Sequence, residues 1–416
     1  MNEQKRSGPL YGWVIVAIAT LALVISNGLS IGGLPPFYKP LREEFVAIGS
    51  IDAATAESFI ANGANITFLM SGVFSLLGGW LVTRFRLKPM MIVGCVLLGL
   101  GLAVHSQATT ANAVYLARFL MGASLGFIGV APCVVLVSGW FEKGRGTALG
   151  ITLVGTSLGG TIIPLVAQPL IASYGWRTAM LALSGVVWLV LLPLVLFAVK
   201  ENDRAQTEET ADAADGMTLS AALRTPVFWA LAACAALVFY PIFATSQQFV
   251  LYLQTPRIGV SAETAAFAQS ALFAISIGGK FIAGALSDKI RAGRVMVFCA
   301  GLMFAASLVL LDLSAGNALF FLLPFALGYG GTFVLIQRLT SDLFGRAEAG
   351  KILGAITLIE VVGAAIGGRV TGYLADQNGG DYTYAFYGVT IAAGLAFLST
   401  FAVNFLSKRQ ISTTRI

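Results

Sequence analysis

Lys280 and Glu360 each lie deep inside a long apolar stretch of this chain. A charge at the centre of a membrane-length helix costs about 2.5–3.5 kcal/mol, so it needs a partner or a water-filled cavity. A buried ammonium group can hold an anion, and a carboxylate can be paired in one state and protonated in another. These two residue types therefore suggest an anion site beside a proton-carrying group.

Lys280 lies eight residues before Asp288, which places it roughly 12 Å inside the end of its helix. Gln269, Phe273, Ser276 and Lys280 recur at spacings of four, three and four residues, so they share one helix face. Such a polar and aromatic stripe is typical of a cavity wall. We expect Lys280 to contact a bound anion, and a purely structural ion pair is the competing interpretation.

Glu360 follows Lys351 by nine residues, about 13–14 Å from the same side of the membrane as the end of the Lys280 helix. A Lys280–Glu360 pair across the cavity would neutralise both charges. Our hypothesis is that an arriving anion displaces Glu360 from Lys280, and that Glu360 then takes up a proton. Structural pairing alone stays open as the alternative.

Three arginines also lie within apolar stretches. Arg369 is on the face of its helix opposite Glu360, because nine residues turn a helix through about 900°. It could serve an outer vestibule or bond a neighbouring helix. For Arg118 we favour bonding between helices. Arg338 lies four residues before Asp342, so it can extend to the surface, and we assign it no binding role.

Neutral polar and aromatic residues complete the candidate pocket. Each of them alone is more often a packing residue, but together they suit a small anion with an apolar body. The predicted binding residues are Lys280, Asn27, Tyr240, Gln247, Ser276, Tyr329, Phe333 and Arg369.

The elements that must position these residues are membrane-spanning helices. Only 11% of the 416 residues are charged and 57% are hydrophobic, so the chain cannot cover its apolar surface in water. A span needs about 20 apolar residues. We predict twelve spans, at 11–33, 55–82, 90–107, 113–138, 147–172, 178–199, 226–252, 264–286, 294–313, 318–341, 352–375 and 384–406.

The basic residues predict the orientation. If the N-terminus is cytoplasmic, 18 of the 26 Lys and Arg fall on that side, 4 fall outside and 4 lie within spans. This asymmetry follows the positive-inside rule, so both termini are expected in the cytoplasm. The net charge of +6 then reflects topology and contact with anionic headgroups, and we expect no nucleic-acid partner.

A hydrophilic, acidic stretch at 200–225 separates the spans six and six. We predict an N-terminal bundle at 1–199, a cytoplasmic linker at 200–225 and a C-terminal bundle at 226–416. Gly155 and Gly159 in the fifth span correspond to Gly363 and Gly367 in the eleventh, at an offset of 208 residues. Small residues four apart let helix backbones approach closely, so these pairs favour a duplicated architecture.

Other classes of protein fit the sequence poorly. Four cysteines lie in apolar spans without paired spacing, and the one histidine, His105, lies at the outer end of the third span, where we expect a satisfied interfacial side chain. We therefore expect no metal, no cofactor, no disulfide and no enzyme activity. A receptor would need a soluble effector domain, and a channel would need an open polar path.

Two motifs resemble those of the major facilitator superfamily. The residues G-A-L-S-D-K-I at 284–290, followed by Gly293 and Arg294, resemble its loop motif after the eighth helix. Arg118 with Gly122 resembles its fourth-helix motif. The copy at 79–88 is degenerate, with Thr83 in place of the acidic residue. The resemblance covers the whole chain and implies an all-α fold of two six-helix pseudo-repeat bundles.

A narrower resemblance is to the monocarboxylate transporter and oxalate–formate antiporter branch. It rests on segments at 11–14, 140–146, 174–177 and 344–346. Members move small carboxylates, many with a proton and some by exchange. The branch has a substrate-binding arginine at the position of Lys280, so here a cation is retained without the planar fork that binds carboxylates in a bidentate manner.

In the superfamily, contacts of the loop motif are thought to hold one conformation. We therefore expect a gating role for Asp288 with Lys289 and Arg294, and for Arg84 in the first half. Thr83 lacks the charge for this role, so the gate is expected to be asymmetric.

The resemblance and the charges together imply a monomeric, multi-pass secondary transporter of small organic anions in a bacterial-type inner (plasma) membrane. Monocarboxylates carried with protons by alternating access are the expected substrates. Exchange of carboxylates stays open. A proton-driven exporter of drugs or other metabolites would need an acidic pocket, whereas the deep charges here are mainly cationic.

Overall fold

The computed structural model describes residues 9–82, 86–141, 145–201, 216–314, 316–345 and 348–413. These residues are helical apart from short connections, and their one β-bridge joins Gly216 to Gly345. Arg84 and most of the predicted linker, residues 202–215, lie outside the described residues. The division at 1–199, 200–225 and 226–416 stays a prediction.

Eight α-helices lie in the described residues of the first half. They are α1 (Pro9–Asn27), α2 (Pro35–Ala47), α3 (Ala56–Val82), α4 (Leu87–Gln107), α5 (Ala111–Ile128), α6 (Val130–Ser138), α7 (Arg145–Val186) and α8 (Leu192–Ala198). A π-helical turn, Gly28–Gly32, extends α1, and another, Val187–Leu191, joins α7 to α8. Gly175 has φ 78° and breaks α7 into two passes, because that left-handed conformation is readily adopted only by glycine.

Seven helices form the second half in the described chain. They are α9 (Leu219–Leu223), α10 (Pro226–Leu253), α11 (Ala262–Lys289), α12 (Ala292–Ser307), α13 (Ala318–Phe344), α14 (Ala349–Gln377) and α15 (Thr383–Thr413). Local sequence sets several starts: the hydroxyls of Thr225 and Ser261 accept backbone N–H groups at the first turns of α10 and α11.

Ten segments of the described chain are long and apolar enough to cross a membrane. One of them, 148–198, contains the break at Gly175, and the 27-residue helix α3 is not among the ten. Large apolar side chains such as Phe197 and Leu189 are about four-fifths exposed, as expected of surfaces that face lipid. The all-helical architecture is confirmed, and the count of twelve stays a prediction.

The predicted glycine pairs make equivalent contacts in the two halves. In the first half, a Cβ on Gly155 or Gly159 of α7 would lie 2.5 or 2.4 Å from the carbonyl oxygens of Thr20 and Val24 in α1. In the second half, Gly363 and Gly367 of α14 stand as closely against Ala236 and Tyr240 of α10. The same helix pair therefore packs backbone to backbone twice, which agrees with duplication.

The halves meet along two helix pairs, α3 with α14 and α7 with α11. We call the side of the bundle where α1, α7, α10 and α14 begin the linker face, and the opposite side, where α3 and α11 begin, the distal face. Candidate binding residues on α7 and α11 lie between these faces at the junction of the halves.

Candidate functional site between the two halves

Lys280 of α11 reaches across the junction to α7. Its Nζ donates to Ser157 Oγ at 2.7 Å and to Thr156 Oγ1 at 3.2 Å. Ser276, one turn earlier on α11, is fully buried, and its Oγ lies 3.3 Å from that of Ser157. The ammonium group is thus held by hydroxyls of the opposite half, which carry no charge to neutralise it.

Aromatic rings form the other side of this cluster. Nζ of Lys280 lies 4.8 Å from the centroid of the Phe333 ring on α13, a cation–π contact. Tyr329, one turn earlier on α13, packs against Phe273 of α11 with ring centroids 6.2 Å apart. Phe273 in turn covers Gly160 of α7, where a Cβ would meet the ring at 2.5 Å. Ser276 and Phe333 therefore lie beside the Lys280 cluster and Tyr329 lies against Phe273, while their binding role stays a prediction.

Glu360 is buried, but it does not pair with Lys280. In the described residues, neither side chain has an opposite charge within 4 Å. Glu360 shares a face of α14 with Gly363 and Gly367, and that face packs on α10. The expected pair is absent in this conformation because similar depth along two helices does not make their side chains face each other.

The remaining predicted binding residues lie elsewhere. Asn27 is half-buried at the end of α1, where its amide approaches Ser26 Oγ at 3.5 Å. The Tyr240 ring lies against Gly367, and its hydroxyl points towards Gly388 of α15. Arg369 is exposed, and it donates to Asn62 of α3 at 2.6 Å. It lines a distal-face cavity of about 520 Å³, so it bonds a neighbouring helix and also borders a vestibule.

Gln247 belongs to a polar seal on the distal side of the cluster. Its Oε1 accepts from the Tyr38 hydroxyl at 2.6 Å, which joins α2 to α10. Gln269 of α11 donates to the carbonyl oxygens of Gly32 at 3.3 Å and Ser246 at 2.8 Å. These bonds close the junction between Lys280 and the distal face.

Carboxylates strengthen the seal at its distal edge. Asp376, at the end of α14, accepts the backbone N–H groups of Glu57 and Ser58 at 2.9 Å each, and so caps α3 of the other half. Glu57 is itself paired with Arg42 and lies 2.6 Å from the Tyr382 hydroxyl. Sequence spacing gave no signal for this cluster, because its members come from two distant parts of the chain, 42–58 and 376–382.

On the linker face, Asp288 pairs with Arg338 of α13 and not with the basic residues of its own loop. Arg338 also donates to Ser287 Oγ at 3.0 Å and lies 3.6 Å from Asp342. Our expectation that Arg338 extends to the surface holds, but its partner was missed. Lys289 and Arg294 are exposed, and the gating roles stay predictions.

Thr156 and Ser157 are site residues that sequence reasoning missed. They lie between Gly155 and Gly159 in the chain. The two glycines face α1, so Thr156 and Ser157 lie on another side of α7, where they reach Lys280 of α11. The arrangement offers one cation, two hydroxyls and a ring. This set can bind an anion that carries an apolar group.

Comparison with known proteins agrees with this architecture. The family model of the Major Facilitator Superfamily matches residues 16–357 and 255–415. Monocarboxylate transporter 13 of Rattus norvegicus is 26% identical over 411 residues, covering 97% of this chain and 92% of the relative. The agnestins efflux protein AgnL12 of Paecilomyces divaricatus is 23% identical, with 88% and 84% covered.

A solved structure shares the fold. It is the crystal structure of a bacterial homolog of the human lysosomal transporter Spinster, in an inward-facing and unoccupied conformation. The TM-score is 0.72 at 16% identity, with 96% of this chain and 97% of the other covered. The chain belongs to the major facilitator superfamily, resembles its monocarboxylate transporter branch, and is a multi-pass membrane transporter and not an enzyme.

Proposed function

We propose that this protein is an alternating-access secondary transporter of small organic anions, chiefly monocarboxylates. The observation that carries the proposal is the Lys280 ammonium group. It lies at the junction of the halves, is held by Thr156 and Ser157, and has no carboxylate within 4 Å among the described residues. A cation without an acidic partner at this depth favours a bound anion.

The pocket chemistry supports a carboxylate with a small apolar body. Phe333 and Tyr329 provide apolar surface on one side of Lys280, while the hydroxyls lie on the other. Lys280 provides a point charge. It can therefore contact a carboxylate without the planar bidentate pairing that an arginine would make. Several similar proteins bear the name monocarboxylate transporter, which supports the same class.

The basic residues support a cytoplasmic linker face in a bacterial-type inner (plasma) membrane. With that orientation, 18 of 26 Lys and Arg lie on the cytoplasmic side, as do both termini. The distal seal then closes the outer side in this conformation. We propose a monomer that works in the lipid bilayer with protons as co-substrate.

The test is uptake into proteoliposomes across a panel of labelled carboxylates, with matched neutral amides and organic cations as competitors. We expect saturable uptake of a monocarboxylate, inhibition by other small carboxylates and none by the amides. Uptake of cations or neutral compounds without anion competition would contradict the proposed substrate class.

Glu360 is proposed to carry the coupled proton, because it is buried in α14 and no cation lies within 4 Å among the described residues. We predict that Glu360→Gln abolishes uptake driven by a pH gradient but keeps carboxylate exchange at zero gradient. Both modes are measured in the same liposome preparation. Intact gradient-driven uptake in the variant would remove the coupling role.

An exporter is the alternative, since one similar protein is named an efflux protein. An exporter of cationic compounds would need an acidic pocket, whereas the group at the junction is Lys280. Competition by cations in the panel above distinguishes the two functions.

A further inference from the structure

Arg118 is a fully buried cation without a counter-charge. It lies in the second turn of α5, is 2% exposed, and no carboxylate of the described residues lies within 4 Å of it. Its Nε and Nη1 atoms have no hydrogen-bond partner among the described protein groups. Buried charges are normally paired because desolvation is costly, so this guanidinium needs an explanation.

The surroundings of Arg118 place it directly behind the distal seal. Its Cζ lies 5.2 Å from the ring centroid of Tyr38, whose hydroxyl donates to Gln247 of the other half. On another side Arg118 packs against Gly63 of α3. A Cβ built on Gly63 would lie 3.6 Å from the Arg118 Cγ, so the absence of a side chain at Gly63 leaves room for the arginine. One side chain, Tyr38, therefore separates the guanidinium from the junction of the halves.

Other polar groups on the distal side share this lack of partners. The unpartnered atoms in the described chain include Ser30 Oγ, Thr245 Oγ1 and Gln269 Oε1, which come from the extension of α1, from α10 and from α11. His105 is fully buried and both its ring nitrogens lack a partner among the described groups, so our expectation of a satisfied interfacial side chain is wrong. Unpartnered polar groups from both halves mark a region where water, an ion or a ligand would supply the missing partners.

A purely structural role in joining α5 to α3 explains Arg118 poorly. The α5–α3 contact at this position uses the Arg118 backbone carbonyl, which accepts from Thr67 Oγ1 at 3.2 Å. Any residue could supply that carbonyl. The guanidinium adds a buried charge to this contact. It hydrogen-bonds the Tyr38 side chain, and its Nε–H and Nη1–H donors have no partner among the described groups, so they can donate to a carboxylate once Tyr38 moves away.

We propose that Arg118 is a second anion site, which binds the substrate carboxylate when the distal seal opens and Tyr38 separates from Gln247. The carboxylate then passes to Lys280. Arg118 supplies the planar fork that Lys280 lacks, so the distal site favours bidentate binding and the central site gives a looser contact. This inference rests on the proposed function, because its ligand is the transported carboxylate.

The test compares KM from the two sides of the membrane, using vesicles of both orientations and the transported carboxylate found in the panel. We expect Arg118→Gln to raise the distal-side KM about tenfold or more, with less than a twofold change from the linker side. Arg118→Lys keeps the charge and should raise the distal-side KM less. A merely structural residue would change both sides together or neither.

Arg177→Gln is the matched control. Arg177 is also a distal-side arginine of the first half, but it pairs with Glu44 at 2.7 Å. Its loss should leave both KM values within twofold. If Arg118→Gln fails to fold, judged by thermal unfolding, the one-sided rise in Arg118→Lys decides alone.

Unchanged distal-side KM in both Arg118 variants, in a protein whose uptake still depends on Lys280, would overturn the second site only. Absence of carboxylate uptake in the wild type would instead overturn the proposed function.

Discussion

At the scale of single residues, the Lys280 ammonium group uses only some of its N–H donors for bonds within the protein. An ammonium group has three N–H donors. Two of them go to Ser157 and Thr156, and the group lies beside the ring of Phe333. The hydroxyls accept from Lys280 without neutralising it, so the positive charge stays available to a carboxylate. We therefore propose that Ser157 orients the cation.

We predict that Ser157→Ala raises the KM for the carboxylate about fivefold, since one hydrogen bond contributes roughly 1 kcal/mol. The measurement is uptake in proteoliposomes. Thr152→Ala is the control, because that buried hydroxyl bonds the Ala148 carbonyl of its own helix. Equal KM values for the two variants would contradict the orienting role.

Residue periodicity predicted part of the site. The stripe that ends at Lys280 and the Tyr329–Phe333 spacing are properties of single helices, so they could be read from the chain. The contacts of Lys280 with Ser157 and of Asp288 with Arg338 join distant helices, and helix rotation decides them. Glu360 shows the same limit: its depth was predictable, but its direction was not.

At the scale of elements, the glycines of α7 determine how closely α1 approaches. Gly159 stands against the backbone of α1 at Val24 and of its π-helical extension at Gly28. The next residue, Gly160, contacts the Phe273 ring of the other half. The same helix thus packs tightly within its own half and provides Ser157 to the junction. A change in the α1–α7 distance should therefore displace the hydroxyls that hold Lys280.

We predict that Gly159→Val destabilises the protein by about 1–3 kcal/mol and sharply reduces uptake, because a Cβ there would lie 2.4 Å from the Val24 carbonyl oxygen. Thermal unfolding in detergent and liposome uptake measure the two effects. Gly150→Ala, on the same helix with no neighbour within 4 Å, is the control and should behave like the wild type. Normal stability of Gly159→Val would refute the close contact.

At the scale of the whole molecule, the distal seal holds the two halves together on one side. Asp376 caps α3 across the junction, and the Tyr38–Gln247 bond lies deeper. In the proposed alternating-access cycle each bond must break for the distal side to open, and each contributes only about 1 kcal/mol.

We predict that Asp376→Asn shifts the protein towards the distal-open state. The readout is labelling of a Ser30→Cys variant by a membrane-impermeant thiol reagent added on the distal side, since Ser30 is 1% exposed and the four native cysteines are buried. Labelling should become severalfold faster. Asp381→Asn is the control, because Asp381 caps Thr383 within its own half. Equal labelling rates in both backgrounds would contradict the cross-junction cap.

The whole-molecule architecture was largely predictable, because apolar length and glycine repeats act along the chain. The spans near 226–252 and 264–286 match α10 and α11 closely. The break at Gly175 lies in the predicted gap between the spans at 147–172 and 178–199. The helical segment Pro35–Ala47 beyond the first span depends on local packing on the distal side, and hydropathy gave no signal for it.

The central claim is that Lys280 binds the transported anion, and carboxylate counterflow in proteoliposomes tests it most directly because no ion gradient is needed. We predict that Lys280→Met reduces counterflow at subsaturating substrate about tenfold to a hundredfold, since a charged hydrogen bond contributes about 1.5–3 kcal/mol, while Lys280→Arg retains a substantial part. Lys408→Met, which removes an exposed cation near the end of α15, should match the wild type. Wild-type counterflow in Lys280→Met would contradict the account.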